Sequence, residues 1–197
     1  MKERSAQGGE LAATTLTAAR AGDRPAFTAL VEQYDPRLRA LAYHLLGDPD
    51  QTDDALQDVY VKAYRGLPAF ARASALSTWL LRVTYTTCID HLRRRGRLVP
   101  VPDLEPEALL PDGPDPTDEL SGRTAVQSAL RRLPPEQRAV VVLVGVQGLD
   151  YRQAAEILDV PSGTVASRLS SARKTLRNAL RDAAPLAVAE SIEEVSS

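Results

Sequence analysis

The residues best equipped for chemistry lie in segment 151–177, YRQAAEILDVPSGTVASRLSSARKTLR. Helical spacing places Val165, Leu169, Ala172 and Leu176 on one apolar stripe, at i, i+4, i+7 and i+11. That stripe leaves Thr164, Ser167, Arg168, Ser171 and Thr175 on the outer face, with Arg173, Lys174 and Arg177 flanking it; Ser170 completes the candidate contact set. A short helix presenting hydroxyls and guanidinium groups suits the major groove of DNA, where such side chains read base edges and clasp phosphates. Residues 151–181 hold six bases and two acids, a net +4 that favours a polyanion. The plainer alternative is a two-helix hairpin with a solvated basic face.

A second cationic stretch is 77–97, STWLLRVTYTTCIDHLRRRGR, with five arginines against Asp90. Arginine interleaved with Trp79 and Tyr85 suits a nucleic-acid strand whose bases are exposed and free to stack. Trp79 opens an apolar helix, so a core position competes with a stacking role. Cys88 and His91, at i, i+3, have no partner pair at metal-ligand spacing, and ordinary helix packing is the reading they support.

The whole chain gives the opposite impression. Across 197 residues, 24 Lys+Arg nearly cancel 26 Asp+Glu, and a net charge of −2 taken alone argues against nucleic acid. Hydrophobic residues make up 44%, enough for a packed core. A lone Cys88 excludes an internally disulfide-stapled fold. No run approaches the roughly 18 apolar residues of a membrane span, and the N-terminal stretch lacks the apolar core of a signal peptide. A soluble cytoplasmic protein without direct membrane insertion is expected. With no phosphate-binding glycine loop, no metal cluster and no Ser/His/Asp grouping, neither an enzyme nor a cofactor or metal is expected.

The elements that must position these residues are all helical. Residues 98–120 carry seven Asp/Glu, no Lys/Arg and six of the fourteen prolines, the composition of an extended acidic linker. The expected organisation is an N-terminal extension 1–23, a helical domain 24–97, the flexible acidic Pro-rich linker 98–120, a second helical domain 121–181, and a frayed or disordered acidic tail 182–197. Residues 10–21 read as a short helix stopped by Gly22-Asp23. The next runs from Arg24-Pro25 to about Tyr34. Asp35-Pro36 then reads as the N-cap and first residue of another, closed by Gly47. From Thr52 to about Leu67, Leu56, Val59, Tyr60, Ala63 and Leu67 form one buried stripe, with Asp53 and Asp54 in the first turn, where the helix dipole favours them. After a loop with Pro68 and Phe70, Ser77 is the expected cap of a helix running to about Arg95. In the second domain helices are expected over 125–132 and from Pro135 to about Gln147. The valine-rich run Ala139–Val144 suits a strand by propensity, but Pro134-Pro135-Glu136 signals a helix start and no partner strand lies nearby. Pro161 should end the next helix, Ser162 cap the last, and Gly163 permit the close turn.

These segments in this order resemble the extracytoplasmic-function (ECF) group of the bacterial sigma-70 family. DDALQDVYVKAYRGL (53–67) is similar to the core-polymerase-binding helix of region 2. STWLLRVTYTTCIDHLRRR (77–95) resembles the promoter-melting and −10-reading helix. LPPEQRAVVVLVGVQGLDYRQAAEILDVPSGTVASRLSSARKTL (133–176) resembles region 4 with its −35-reading helix-turn-helix. The resemblance implies an all-α chain of two small helical domains that binds core RNA polymerase, recognises −35 and −10 elements and nucleates melting, with the polymerase making the bonds.

It also assigns roles. Asp54, Gln57, Asp58 and Val61, off the core stripe, would face the β′ clamp; a merely solvated acidic face is their alternative. Arg82, Tyr85, Thr86, Asp90, Arg93 and Arg94 would surround the opened −10 strand, with the loop Pro68–Leu76 holding a flipped base. Thr164, Ser167, Arg168, Ser170, Ser171, Arg173 and Lys174 would meet the −35 duplex. Implied partners are core polymerase through its β′ clamp and β flap, promoter DNA and an anti-sigma factor, with the free chain a monomer. Thr86 stands where the family commonly has Asn, and Ala166 and Ser171 stand where it often has Arg, so both promoter preferences are open. An autonomous helix-turn-helix regulator and a non-productive sigma-like interaction module are the alternatives.

Overall fold

The computed structural model describes the backbone of residues 14–70, 75–96 and 125–193, and the side chains of all of these except 125–126 and 182–193. Regular structure among them is entirely helical, and most boundaries follow from local signals. The linker at 98–120 lies outside the described residues, as do 71–74 of the loop after Phe70 and residues 194–197 of the tail. The chain forms two compact units, one centred on the first four helices and the other on the last four.

Helix α1 covers residues 14–20 and stops at Gly22, whose φ of +93° is the left-handed conformation glycine tolerates best. Asp23 then caps α2 (Arg24–Leu46), its carboxylate accepting from the Ala26 N–H at 2.8 Å. The break expected at Asp35-Pro36 does not occur: α2 is one helix with Pro36 inside. An internal proline costs about 3 kcal/mol, but Leu30 and Val31 before it and Leu38, Leu41, Ala42 and Leu45 after it are all buried, so continuity keeps both halves in the core. Asp35, freed from capping, accepts from the Tyr60 hydroxyl and from Arg39 Nε at 3.4 Å. Gly47 closes the helix in the left-handed region as expected, its N–H bonding the Tyr43 carbonyl.

Helix α3 (Pro49–Gly66) starts earlier than the apolar pattern suggests, because Asp48 caps it by accepting from the Gln51 N–H and Pro49 suits the first turn. Asp50 therefore takes the first-turn position expected of Asp53 and Asp54, which lie one turn further on. Leu56, Val59 and Ala63 are buried with Thr52 and Ala55, and α3 packs against α2. A single 3-10 turn, Leu67–Ala69, follows. Helix α4 (Leu76–Arg94) also begins ahead of its expected cap: Ser77 is inside it, and the Ala75 carbonyl accepts the Trp79 N–H.

In the second unit α5 (Ala125–Arg131) leads into α6 (Pro135–Val140), and both pack against the last helix. The valine run is helical, but from Val141 to Val146 it takes the wider π form, closed by Gly148 at φ +68°. Within α6, Arg138 is buried, its Nη2 donating to the carbonyls of Arg131 at the end of α5 and of Leu133 at 2.9 Å each. Desolvation pushes its guanidinium down to about 10, with Arg131 adding to the effect. Helix α7 (Tyr151–Leu158) opens on a capping box between Asp150 and Gln153.

The turn into α8 (Ser162–Glu193) differs from the sequence expectation. Its left-handed residue is Asp159 at φ 58°, not Gly163, which lies within α8. Aspartate is one of the few side chains that visits this region readily. Pro161, not Ser162, precedes the helix, and its carbonyl accepts from Thr164 and Val165. The backbone also stays helical to Glu193, past the Asp182 at which a disordered tail was expected and through Pro185.

Candidate nucleic-acid interface

On α3, burial of Ala55, Leu56, Val59 and Ala63 turns Asp54, Gln57, Asp58 and Val61 outward, and all four are exposed. They recur at i, i+3, i+4 and i+7, so they make one continuous strip. Val61 is 48% exposed, a large apolar side chain held in water beside carboxylates. Tyr64, also exposed, continues the strip; its hydroxyl donates to the Gly22 carbonyl at 3.3 Å and its ring meets Phe27 edge-on at 5.1 Å.

On α4, Arg82, Thr86, Arg93 and Arg94 are exposed, while Tyr85 and Asp90 are half-buried. The Thr86 hydroxyl donates to the carbonyls of Arg82 and Val83 at 3.0 and 3.1 Å, so its proton is committed to its own helix. Asp90 pairs with Lys62 of α3 at 3.8 Å, and Lys62 also donates to Thr87 at 3.0 Å. One turn away, His91 Nε2 and Asp58 Oδ2 are 2.9 Å apart. Lys62 and His91 thus tie the α3 strip to the α4 face, a role invisible in the sequence because helical periodicity carries no information about the facing helix.

Trp79 takes the core role. It packs with Leu76 against Ala19, Leu30, Leu67 and Phe70, its ring 5.3 Å from that of Phe70. Gly66 makes room for it: a Cβ there would lie 3.0 Å from Trp79 Cζ2. Cys88 is buried in helix packing, and desolvation pushes its thiol up to about 12 against the opposing influence of Lys62. On the surface where α2 meets α3, Arg39 donates to Asp53 and Asp35. Burial and then the hydrogen bond to Asp35 raise Tyr60 well above an ordinary phenol.

On α8, Val165, Leu169 and Ala172 are buried and Leu176 packs beside them. Ser167, Ser170, Ser171, Arg173 and Lys174 are exposed, with Thr164 and Arg168 half-buried. Ser170, Arg173 and Lys174 line one open concavity with Tyr151, Ala166 and Arg177. Thr164, Ser167, Arg168 and Ser171 are not part of that lining, and Ser167 donates to the Thr164 carbonyl at 3.0 Å. Tyr151, first residue of α7 and 42% exposed, was not singled out by the sequence reading; an aromatic at a helix start beside an arginine cluster was the available signal.

Two family regions match. Residues 30–98 match Sigma-70 region 2, and residues 123–176 match Sigma-70, region 4. The ECF RNA polymerase sigma factor SigM of Mycobacterium tuberculosis is 40% identical over 170 residues, covering 85% of this chain and 84% of that protein. The chain belongs to the ECF group of the sigma-70 family. The ECF sigma-E factor of Escherichia coli strain K12 is 32% identical over 170 residues, 80% of this chain and 87% of that protein. Among solved structures, the sigma factor RpoE of Bartonella quintana, in complex with the anti-sigma factor NepR, matches with a TM-score of 0.62 at 28% identity, over 79% of this chain and 96% of that one. CnrH in complex with the cytosolic domain of CnrY matches with a TM-score of 0.64 at 26% identity, over 87% of this chain and 97% of that one.

As an ECF sigma factor the chain serves promoter recognition, its region 2 and region 4 domains binding core RNA polymerase and promoter DNA. Region 2 takes in most of α2 together with α3 and α4, whereas α1 precedes the match; region 4 takes in the helix-turn-helix of α7 and α8. The family match does not favour the autonomous regulator or the non-productive module. No helix among the described residues is long and apolar enough to cross a membrane.

Proposed function

We propose that the sigma factor divides its work between named surfaces. The α3 strip Asp54, Gln57, Asp58 and Val61 docks on the polymerase β′ clamp. Arg82, Tyr85, Thr86, Asp90, Arg93 and Arg94 on α4 surround the opened −10 strand. Thr164, Ser167, Arg168, Ser170, Ser171, Arg173 and Lys174 meet the −35 duplex. The observation carrying this division is the character of three exposed strips: acidic, amide and apolar side chains at Asp54, Gln57, Asp58 and Val61 of α3, arginines on α4, and hydroxyls with Arg173 and Lys174 on α8. Melting costs a few kcal/mol per unstacked base, offset by cationic and aromatic surface that binds the opened form. No residue of this chain breaks or makes a covalent bond; the polymerase supplies that chemistry, and the chain works in the cytoplasm beside it.

The segment assignments follow the same reading: 1–23 precedes region 2 (24–97), 98–120 is an acidic connector through the RNA exit path, and 121–181 is region 4, which also meets the β flap. The two solved relatives are complexes with NepR and with CnrY, which supports an anti-sigma partner for this monomeric chain as well. Asp58→Arg and the pair Arg173→Ala with Lys174→Ala test the division in full-length protein. Asp58→Arg should weaken core-polymerase binding and spare the affinity for a −35 duplex, and the double substitution should do the reverse. Equal losses in both assays for either variant would refute it.

A further inference from the structure

Helix α1 lies ahead of the matched region 2, which begins at Leu30, yet it is packed into that domain at one place. Ala19, 2% exposed, joins a core cluster with Leu30, Leu67 and Phe70, and Leu16, Leu76 and Trp79 pack against it. Arg20 Nη2 donates to the Pro68 carbonyl at 3.4 Å, and the Gly22 carbonyl just after α1 accepts from Tyr64 at 3.3 Å. The cluster that Leu16 and Ala19 of α1 share with α2 residues also holds Leu67 and Phe70, which follow α3, and Leu76 and Trp79, which open α4.

We propose that α1 is a positioning element for −10 recognition, its Leu16, Ala19 and Arg20 setting where the end of α3 and the start of α4 stand relative to each other. The inference rests on the −10 role proposed for α4. Arg82 lies one turn beyond Trp79, so a shift of the Trp79 packing moves the first cation that would meet the opened strand. Capture of an unstacked base depends on a preformed surface held by packed neighbours, and α1 supplies part of that packing from outside the recognised domain.

The test uses full-length protein, core polymerase and a promoter carrying single abasic sites through the −10 element, read as the ratio of open complex on intact over abasic DNA. Leu16→Ala and Arg20→Ala should each lower that ratio about tenfold, as small misplacements of a positioning group do, with core and −35 duplex affinities unchanged. Leu45→Ala, a buried α2 position outside this cluster, controls for destabilisation and should leave the ratio intact. Arg20→Ala removes only a rim contact and keeps the test open if Leu16→Ala does not fold. Unchanged ratios in folded α1 variants, or an equal fall in Leu45→Ala, would overturn the role of α1. A wild-type protein indifferent to every abasic site would instead sink the −10 reading itself, before any variant is compared.

Discussion

Asp58 of α3 and His91 of α4 face each other at 2.9 Å, so one carboxylate belongs both to the strip proposed to dock on polymerase and to the joint between α3 and α4. Asp58 is half exposed while His91 is largely buried, which leaves the second carboxylate oxygen open to a partner. Pairs this exposed contribute about 0–1 kcal/mol. A double-mutant cycle of Asp58→Asn and His91→Gln by urea unfolding should give a coupling within that range. Core-polymerase affinity should fall for Asp58→Asn and stay near wild type for His91→Gln.

Gly66 and Trp79 give a sharper packing test. A Cβ at position 66 meets the indole at 3.0 Å, and Trp79 is the chain's only tryptophan. Gly66→Val should cost about 1–3 kcal/mol, the usual penalty of overpacking. It should also shift the tryptophan emission as the ring leaves Phe70. Unchanged emission and melting temperature would contradict the described packing.

Alkaline pH should destabilise region 2. The folded-state pKa values of Tyr60 and Cys88 are both raised by burial, so their contribution is fully present below the unfolded values and is lost as the unfolded chain ionises first. Stability followed by Trp79 fluorescence should therefore hold to about pH 9 and fall above it. Tyr60→Phe and Cys88→Ala should each flatten the decline. Arg138 acts in the opposite sense in the other unit, its guanidinium being lowered to about 10, which is why a probe confined to region 2 is needed. By the same burial Cys88 should resist thiol reagents until the protein unfolds.

The helical class, the core stripes of α3 and α8 and the exposed α3 strip were legible because periodicity sorts buried from exposed faces within one helix. Leu56, Val59 and Ala63, or Val165, Leu169 and Ala172, need no tertiary knowledge. The α2 break was misread because Asp35-Pro36 has every local sign of a helix start, and only burial on both sides of Pro36 overrides it. Asp159 was missed because Gly163 is the more obvious turn residue. Lys62, His91 and the buried Arg138 act across helices, on partners 25, 33 and up to 7 residues away, and no spacing rule reaches such pairs. No sequence signal marks the π turn at Val141–Val146.

The recognition helix offers a specificity test. Ala166 lines the concavity with Ser170, Arg173 and Lys174, and both Ala166 and Ser171 lack the guanidinium that pairs with guanine. Ala166→Arg or Ser171→Arg should add a preference for guanine at one −35 position, worth about 1–3 kcal/mol. Selection from a randomised −35 library measures it, and identical selected sequences for wild type and both variants would contradict the assignment of this face.

Run-off transcription with purified core polymerase, this protein and promoter-containing genomic fragments tests the central claim most directly. Discrete transcripts should start at defined positions only when the protein is present, and should vanish when either the −35 or the −10 element is scrambled. Folded protein that binds core polymerase yet yields no specific transcript on any fragment, or transcripts indifferent to both elements, would contradict it.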